Sequence, residues 1–208
     1  MSLKDIQGEY NTVFSLGNLC LSAIQMKNNQ IRPFSGVFDW IGTPKTDTVT
    51  TLIKSRFANF LNFNNLVPEK YLSERDLYVW DKFYDIGFNH DFYTDKNSLT
   101  HLGGFPEVKA KYNRRIKRFL DSFETSERIL FIRTEAEYGD VKELQATLNS
   151  MVKNKFELLI VNHKNIPTMI EKTWDIKHVT VVEMPDHEIW EGNDALWKQL
   201  LKDVKLKK

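Results

Sequence analysis

Three apolar runs separated by segments of helical period constrain this chain more than any other feature. Arg128 to Ile132, Phe156 to Val161 and His178 to Val182 are continuous and aliphatic, as strands buried on both faces are. Between the first two, Val141, Leu144, Leu148, Met151 and Val152 repeat at helical spacing. Thr168 to Trp174 reads as a short helix, and Leu196, Trp197, Leu200, Leu201 and Val204 as the closing one. Strands alternating with helices need crossover connections. The expected fold class is therefore α/β: a three-layer, mostly parallel sheet with helices on both faces. Thr12 to Leu16, short and apolar, is expected to join that sheet as its opening strand.

Two more helices precede these runs. Tyr112, Ile116, Phe119, Leu120 and Phe123 share one face, opposite a basic face of Lys109, Lys111, Arg114, Arg115, Lys117 and Arg118 that reads as solvated. Val49, Leu52, Ile53, Phe57 and Phe60 form another stripe, with Thr46 or Asp47 as N-cap. Residues 62–106 read as an irregular, aromatic-rich insertion in a single α/β domain spanning 1–208. Within it, Tyr78 and Trp80 belong to a short strand, 83–92 to a hairpin or extended segment, and 95–104 to an exposed loop.

Composition narrows the partners. A net charge of +1 supplies no field for nucleic acid, so none is expected as a partner. The single cysteine excludes an internal disulfide framework and a Cys-rich zinc site. No run is long enough to span a bilayer, and the opening Met-Ser-Leu-Lys-Asp has no apolar signal core. The expectation is a cytoplasmic protein without a membrane partner.

Groups with chemistry collect beyond the carboxyl ends of strands in open α/β sheets. After the four strands come Gly17 to Cys20, Arg133-Thr134-Glu135, Asn162-His163-Lys164 and Met184 to His187. Asn18, Arg133, Glu135, Asn162, His163 and His187 are thus candidate ligand-binding residues. Arg32 joins them from the apolar loop 31–41, in which Arg32 and Asp39 need partners and are expected to find each other near the Cys20 helix. Cys20 opens a helix directly after a strand, where the dipole and unpaired N–H groups favour a thiolate. The other reading of Cys20 is a small buried hydrophobe.

Ser15-Leu16-Gly17-Asn18-Leu19-Cys20, Arg32, Phe38-Asp39-Trp40-Ile41 and Asn89-His90-Asp91-Phe92 together resemble a bacterial family of papain-like cysteine peptidases. The resemblance runs from about Thr12 to the Trp197 helix. It implies Cys20 as nucleophile and His90 as base, with Asp39 or Asp91 orienting the imidazole. Asp91 adjoins His90 and would point away from it on a regular strand, so Asp39 is the better physical candidate. The resemblance also implies a papain-like α+β fold, a helix packed on an antiparallel barrel, whereas the periodicity of residues 128–204 supports the parallel α/β sheet.

Two function classes follow. One is a thiol-dependent hydrolase or acyltransferase using a Cys–His pair on a small-molecule or peptide acyl substrate. The other is a non-catalytic α/β protein that binds a small polar ligand at the strand edge, with Cys20 structural. An esterase-like reading with Asp186-His187 leaves Ser15 and Ser22 poorly placed as nucleophiles. Leu16-Gly17-Asn18 has one glycine and is no phosphate-cradling loop. His90, Asp91 and His187 form no short metal motif, so neither cofactor nor metal is expected.

Overall fold

The computed structural model describes residues 2–207. In chain order the elements are β1 (Gly8–Tyr10), β2 (Thr12–Ser15), α1 (Leu21–Asn28), β3 (Ile41–Gly42), α2 (Thr46–Lys54), β4 (Leu66–Tyr71), β5 (Asp76–Asp81), β6 (Ile86–Tyr93), β7 (Asn97–Ser98), β8 (His101–Leu102), α3 (Phe105–Thr125), β9 (Arg128–Thr134), α4 (Tyr138–Met151), β10 (Lys155–Lys164), β11 (Ile170–Lys172), β12 (Val179–Pro185), α5 (Asp194–Leu201) and β13 (Val204–Leu206).

The main sheet has the order β11-β12-β10-β9-β2. β2, β9, β10 and β12 pair in parallel, as the apolar runs imply, and β11 adds an antiparallel edge. Alternation along β9 shows why the run is continuous. Ile129 and Phe131 enter one apolar cluster, Leu130 and Ile132 another. The first cluster takes Val49, Leu52 and Ile53 from α2, Phe119 and Phe123 from α3, and Val141, Leu144 and Leu148 from α4. The second takes Leu21 and Met26 from α1 and Trp197, Leu200 and Leu201 from α5.

Phe119 is the hub of the first cluster. Its ring meets those of Phe14, Phe38, Phe57, Phe123 and Phe131 at centroid distances of 4.8 to 6.0 Å. Truncating such a ring to alanine typically costs about 3–5 kcal/mol. α3 begins at Phe105 with Pro106 in its first turn, where a missing N–H costs nothing, and Glu107 beside the helix dipole.

The aromatic-rich region forms a second sheet, ordered β3-β6-β5-β4 and antiparallel throughout. Its Leu77, Val79, Phe88 and Phe92 join the first cluster, so both sheets share a core. Leu77 pairs with Phe92 but Val79 with Phe88, which leaves Asn89, His90 and Asp91 in a bulge opposite Tyr78. A bulge re-aims the side chains it carries.

Four local readings need correction. Residues 168–174 hold β11 rather than a helix, because exposed Ile170 to Lys172 add to the free edge of β12. Lys45, rather than Thr46 or Asp47, holds the N-cap position of α2 and gives it no side-chain hydrogen bond, and Phe57 and Phe60 lie in the turns beyond its end, still buried. Val204 leaves the closing helix to pair, in β13, with Gly8 of β1. Asn97–Ser98 and His101–Leu102 form a small hairpin instead of an open loop. No helix among the described residues is long and apolar enough to cross a membrane.

Candidate functional site

Because four strands run parallel, the segments that follow them meet at one edge. The turn after β2 is fastened there by its neighbours. The Gly17 carbonyl accepts the Thr134 backbone N–H at 3.0 Å and its hydroxyl at 3.3 Å, and the Asn18 carbonyl accepts the Thr43 N–H at 2.7 Å. Gly17 has φ of +80°, and a Cβ there would lie 2.1 Å from Thr43 Oγ1, so only glycine fits. This turn delivers Cys20 to the N-cap of α1.

Cys20 is 8% exposed. Burial, and then the Asp39 and Asp91 carboxylates, push its thiol up to about 11. This direction runs against the thiolate that a helix N-terminus favours, because desolvation and two negative charges both penalise the charged form. Asp39 is 1% exposed and takes Arg32 Nε at 2.8 Å, Arg32 Nη2 at 2.7 Å and the Gly36 N–H at 2.8 Å, all on Oδ2. Its Oδ1 is buried without a hydrogen-bond partner. The Arg32–Asp39 pair expected from the sequence is present.

Trp40 links this pair to His90. Arg32 lies 5.0 Å above the Trp40 ring, and the exposed His90 ring meets the same indole edge to face at 6.5 Å. The bulge turns the next residue inward. Asp91 accepts the Tyr112 hydroxyl at 2.7 Å and pairs with Lys111 at 2.6 Å, both from α3. Asp91 is thus committed to α3 and makes no hydrogen bond to His90, which corrects its reading as an orienting residue. Asp39 likewise makes none, its bonded oxygen being held by Arg32 and Gly36. Tyr112, fully buried among these carboxylates, escaped sequence reading because its helical spacing already explained it as core.

Two further candidates have structural duties. Arg133 is fully buried and gives its donors to the Leu16 and Thr43 carbonyls and the Thr43 and Thr46 hydroxyls. This corrects its reading as a ligand group: it ties the β2 turn to the start of α2. Asn162 exchanges two hydrogen bonds with the backbone of Ala136, at 2.8 and 2.9 Å. Asn18 and Arg32 are half-buried, and His187 is exposed.

Glu135 and His163 meet at the ends of the adjacent strands β9 and β10. His163 gives its backbone N–H to Glu135 at 3.2 Å and its Nδ1 contacts the same carboxylate. A carboxylate only accepts, so the Nδ1 that meets it carries a hydrogen. Nε2 is buried without a partner. Glu135 also lines a cavity of about 440 Å³, with Thr46, Asp140, Asn162 and Lys164, between the starts of α2 and α4. Cys20 does not line it. No group of three or more His, Cys, Asp or Glu among the described residues is arranged to hold a metal ion.

Comparison with known proteins adds two findings. A family model described as "Putative papain-like cysteine peptidase (DUF1796)" matches residues 11–166. That span contains Cys20, Asp39, His90, Glu135 and His163 but not His187. "Uncharacterized protein R408" of Acanthamoeba polyphaga mimivirus is 26% identical over 219 residues, covering 92% of this chain and 97% of its own. This relative is viral rather than bacterial. No solved structure matches.

Proposed function

We propose that this chain, which belongs to the family described as "Putative papain-like cysteine peptidase (DUF1796)", is a thiol-dependent hydrolase or acyltransferase acting through Cys20. The observation that carries the proposal is the placing of Cys20 at the strand-to-helix turn of the carboxyl edge, where the Asp39 and Asp91 charges act on its thiol. Reading the sheet and its two groups of helices as three layers leaves that edge as the place for chemistry.

The resting group is a neutral thiol, so attack on an acyl carbonyl requires its proton to pass to a base, and a histidine fits that task. His90, on the Trp40 rim, is the one the family resemblance names. The N–H groups of the first turn of α1 lack intrahelical partners and suit a developing oxyanion. Water, or another acceptor, then takes the acyl group from sulfur.

The test is acylation by p-nitrophenyl acetate, followed by mass spectrometry of the intact chain. Wild type is expected to gain an acetyl group on Cys20 and Cys20→Ala to gain none. Equal nitrophenol release by a folded Cys20→Ala variant refutes the proposal. The depth of Cys20 and its raised pKa favour the second reading, a ligand-binding protein with Cys20 as packing, and that outcome would select it.

A further inference from the structure

We propose that Glu157 is a pH-sensitive latch on the N-terminal segment 2–7: once ionised, it draws Arg128 off the carbonyls by which Arg128 holds that segment, and the segment loosens. The latch lies at the end of the main sheet opposite Cys20 and does not depend on how Cys20 is read.

Arg128 opens β9 and clamps the segment with one side chain. Its Nη1 donates to the Gln7 carbonyl at 3.0 Å and its Nη2 to the Asp5 carbonyl at 2.9 Å. The guanidinium lies 4.3 Å above the Tyr10 ring. A Cβ on Gly8 would stand 3.0 Å from Nη1, so the seat is tight. The segment has few other fastenings. Ile6 enters the second apolar cluster, the Leu3 N–H reaches Glu171 at 3.0 Å, and the Ser2 carbonyl accepts the Thr180 hydroxyl at 3.3 Å.

Glu157 sits beside this clamp. It pairs with Leu130 across β9 and β10, and Leu130 is two residues from Arg128, so both charged side chains stand on one face of the sheet. Oε1 is 3.9 Å from Arg128 Nη2, and Oε2 is 3.9 Å from His178 Nδ1. Neither distance is a hydrogen bond. Oε2 is buried without a hydrogen-bond partner. A carboxyl group that stands between two basic side chains and bonds to neither is placed for its neutral form, since an ionised oxygen left so costs far more.

Burial accordingly raises the Glu157 pKa to about 7, against the pull of Arg128 and with the help of the Asp5 charge. Above that value the proton leaves to water and the new charge needs a donor. Three groups face it: Arg128 from β9, Asp5 from the segment itself and His178 from the turn before β12. Asp5 repels it. An imidazole ordinarily loses its charge above about 6.5, whereas a guanidinium keeps its own. Arg128 is therefore the partner. A charge-assisted bond of about 2.8 Å needs Nη2 to travel roughly an ångström towards Oε1. The tight seat against Gly8 leaves the guanidinium no room to serve both sides at full strength.

The experiment is hydrogen–deuterium exchange read by mass spectrometry across pH, corrected for the chemical exchange rate, on wild type, Glu157→Gln and His178→Asn. In wild type, exchange of segment 2–7 is expected to rise several-fold with a midpoint near 7, while the amides of β10 keep their protection. Glu157→Gln is expected to hold the segment closed at every pH, and His178→Asn to retain the rise. A flat wild-type profile overturns the proposal, whether or not the variants fold. So does an equal rise in β10, which would report global opening. A rise that persists in Glu157→Gln, or that vanishes in a folded His178→Asn, assigns the titration to another group and overturns it as well.

Discussion

Arg32 closes on Asp39 through two nitrogens that share one oxygen, Nε at 2.8 Å and Nη2 at 2.7 Å, while the other Asp39 oxygen stays buried and unbonded. The pair pins the 31–40 loop beside Phe14, and a Cβ on Gly36 would press to 2.8 Å from the free oxygen. Asp39→Asn strands the guanidinium. Breaking a buried pair from one side costs about 3–5 kcal/mol. Urea titration is expected to show a loss of that order. An unchanged midpoint would mean that the pair is a surface ornament.

The same substitution bears on Cys20. Burial and the Asp39 and Asp91 charges set its thiol at about 11, so iodoacetamide alkylation should rise with pH towards that value rather than level off near 8.5, where an ordinary thiol ionises. Asp39→Asn deletes one of the two charges and is expected to shift the midpoint down, giving faster alkylation at pH 8.5. A wild-type plateau already reached at pH 8 would contradict the buried neutral thiol.

Arg133 lies wholly inside, its guanidinium lowered to about 10 by burial, with donors on the Leu16 and Thr43 carbonyls. Arg133→Met withdraws those donors, and each buried carbonyl left unsatisfied costs about 1–3 kcal/mol. The urea midpoint is expected to fall with an unaltered slope. A variant of native stability would return Arg133 to the ligand-binding role that its strand-end position suggests.

At the opposite end of the sheet, burial raises Glu157 to about 7 against the pull of Arg128, 3.9 Å away. The unfolded chain releases this proton near the ordinary value of 4.5, the folded one only near 7. Between those values the unfolded state binds fewer protons, so stability falls as pH rises through the window and stays lower above it. Glu157→Gln cannot ionise. Its melting temperature relative to wild type is expected to increase from pH 4 to pH 8.5, and a constant difference would show that Glu157 titrates as an exposed carboxylate.

The family assignment and the parallel sheet stand together in this chain. The resemblance implies an antiparallel barrel, and an antiparallel sheet is present in β3 to β6, yet Cys20 follows a strand of the parallel one. Belonging to the family therefore does not bring with it the barrel that the resemblance implies.

What the sequence determined by itself is the periodic part. Apolar runs such as 129–132 can be buried on both faces only between helices, and local period is enough to find them. Helix α3 was legible for the same reason, and Arg32–Asp39 because two charges in an apolar loop must pair. β11 was not, since Ile170 to Lys172 are exposed and owe their conformation to the partner strand β12. Only tertiary structure decided the site. The bulge at 89–91 sends Asp91 to Tyr112 and Lys111 and leaves His90 on Trp40, and the end of β9 brings Glu135 to His163. Period reports which face of an element is buried. Which polar atoms meet across elements, and how far water is excluded from Cys20, depends on packing between segments distant in sequence.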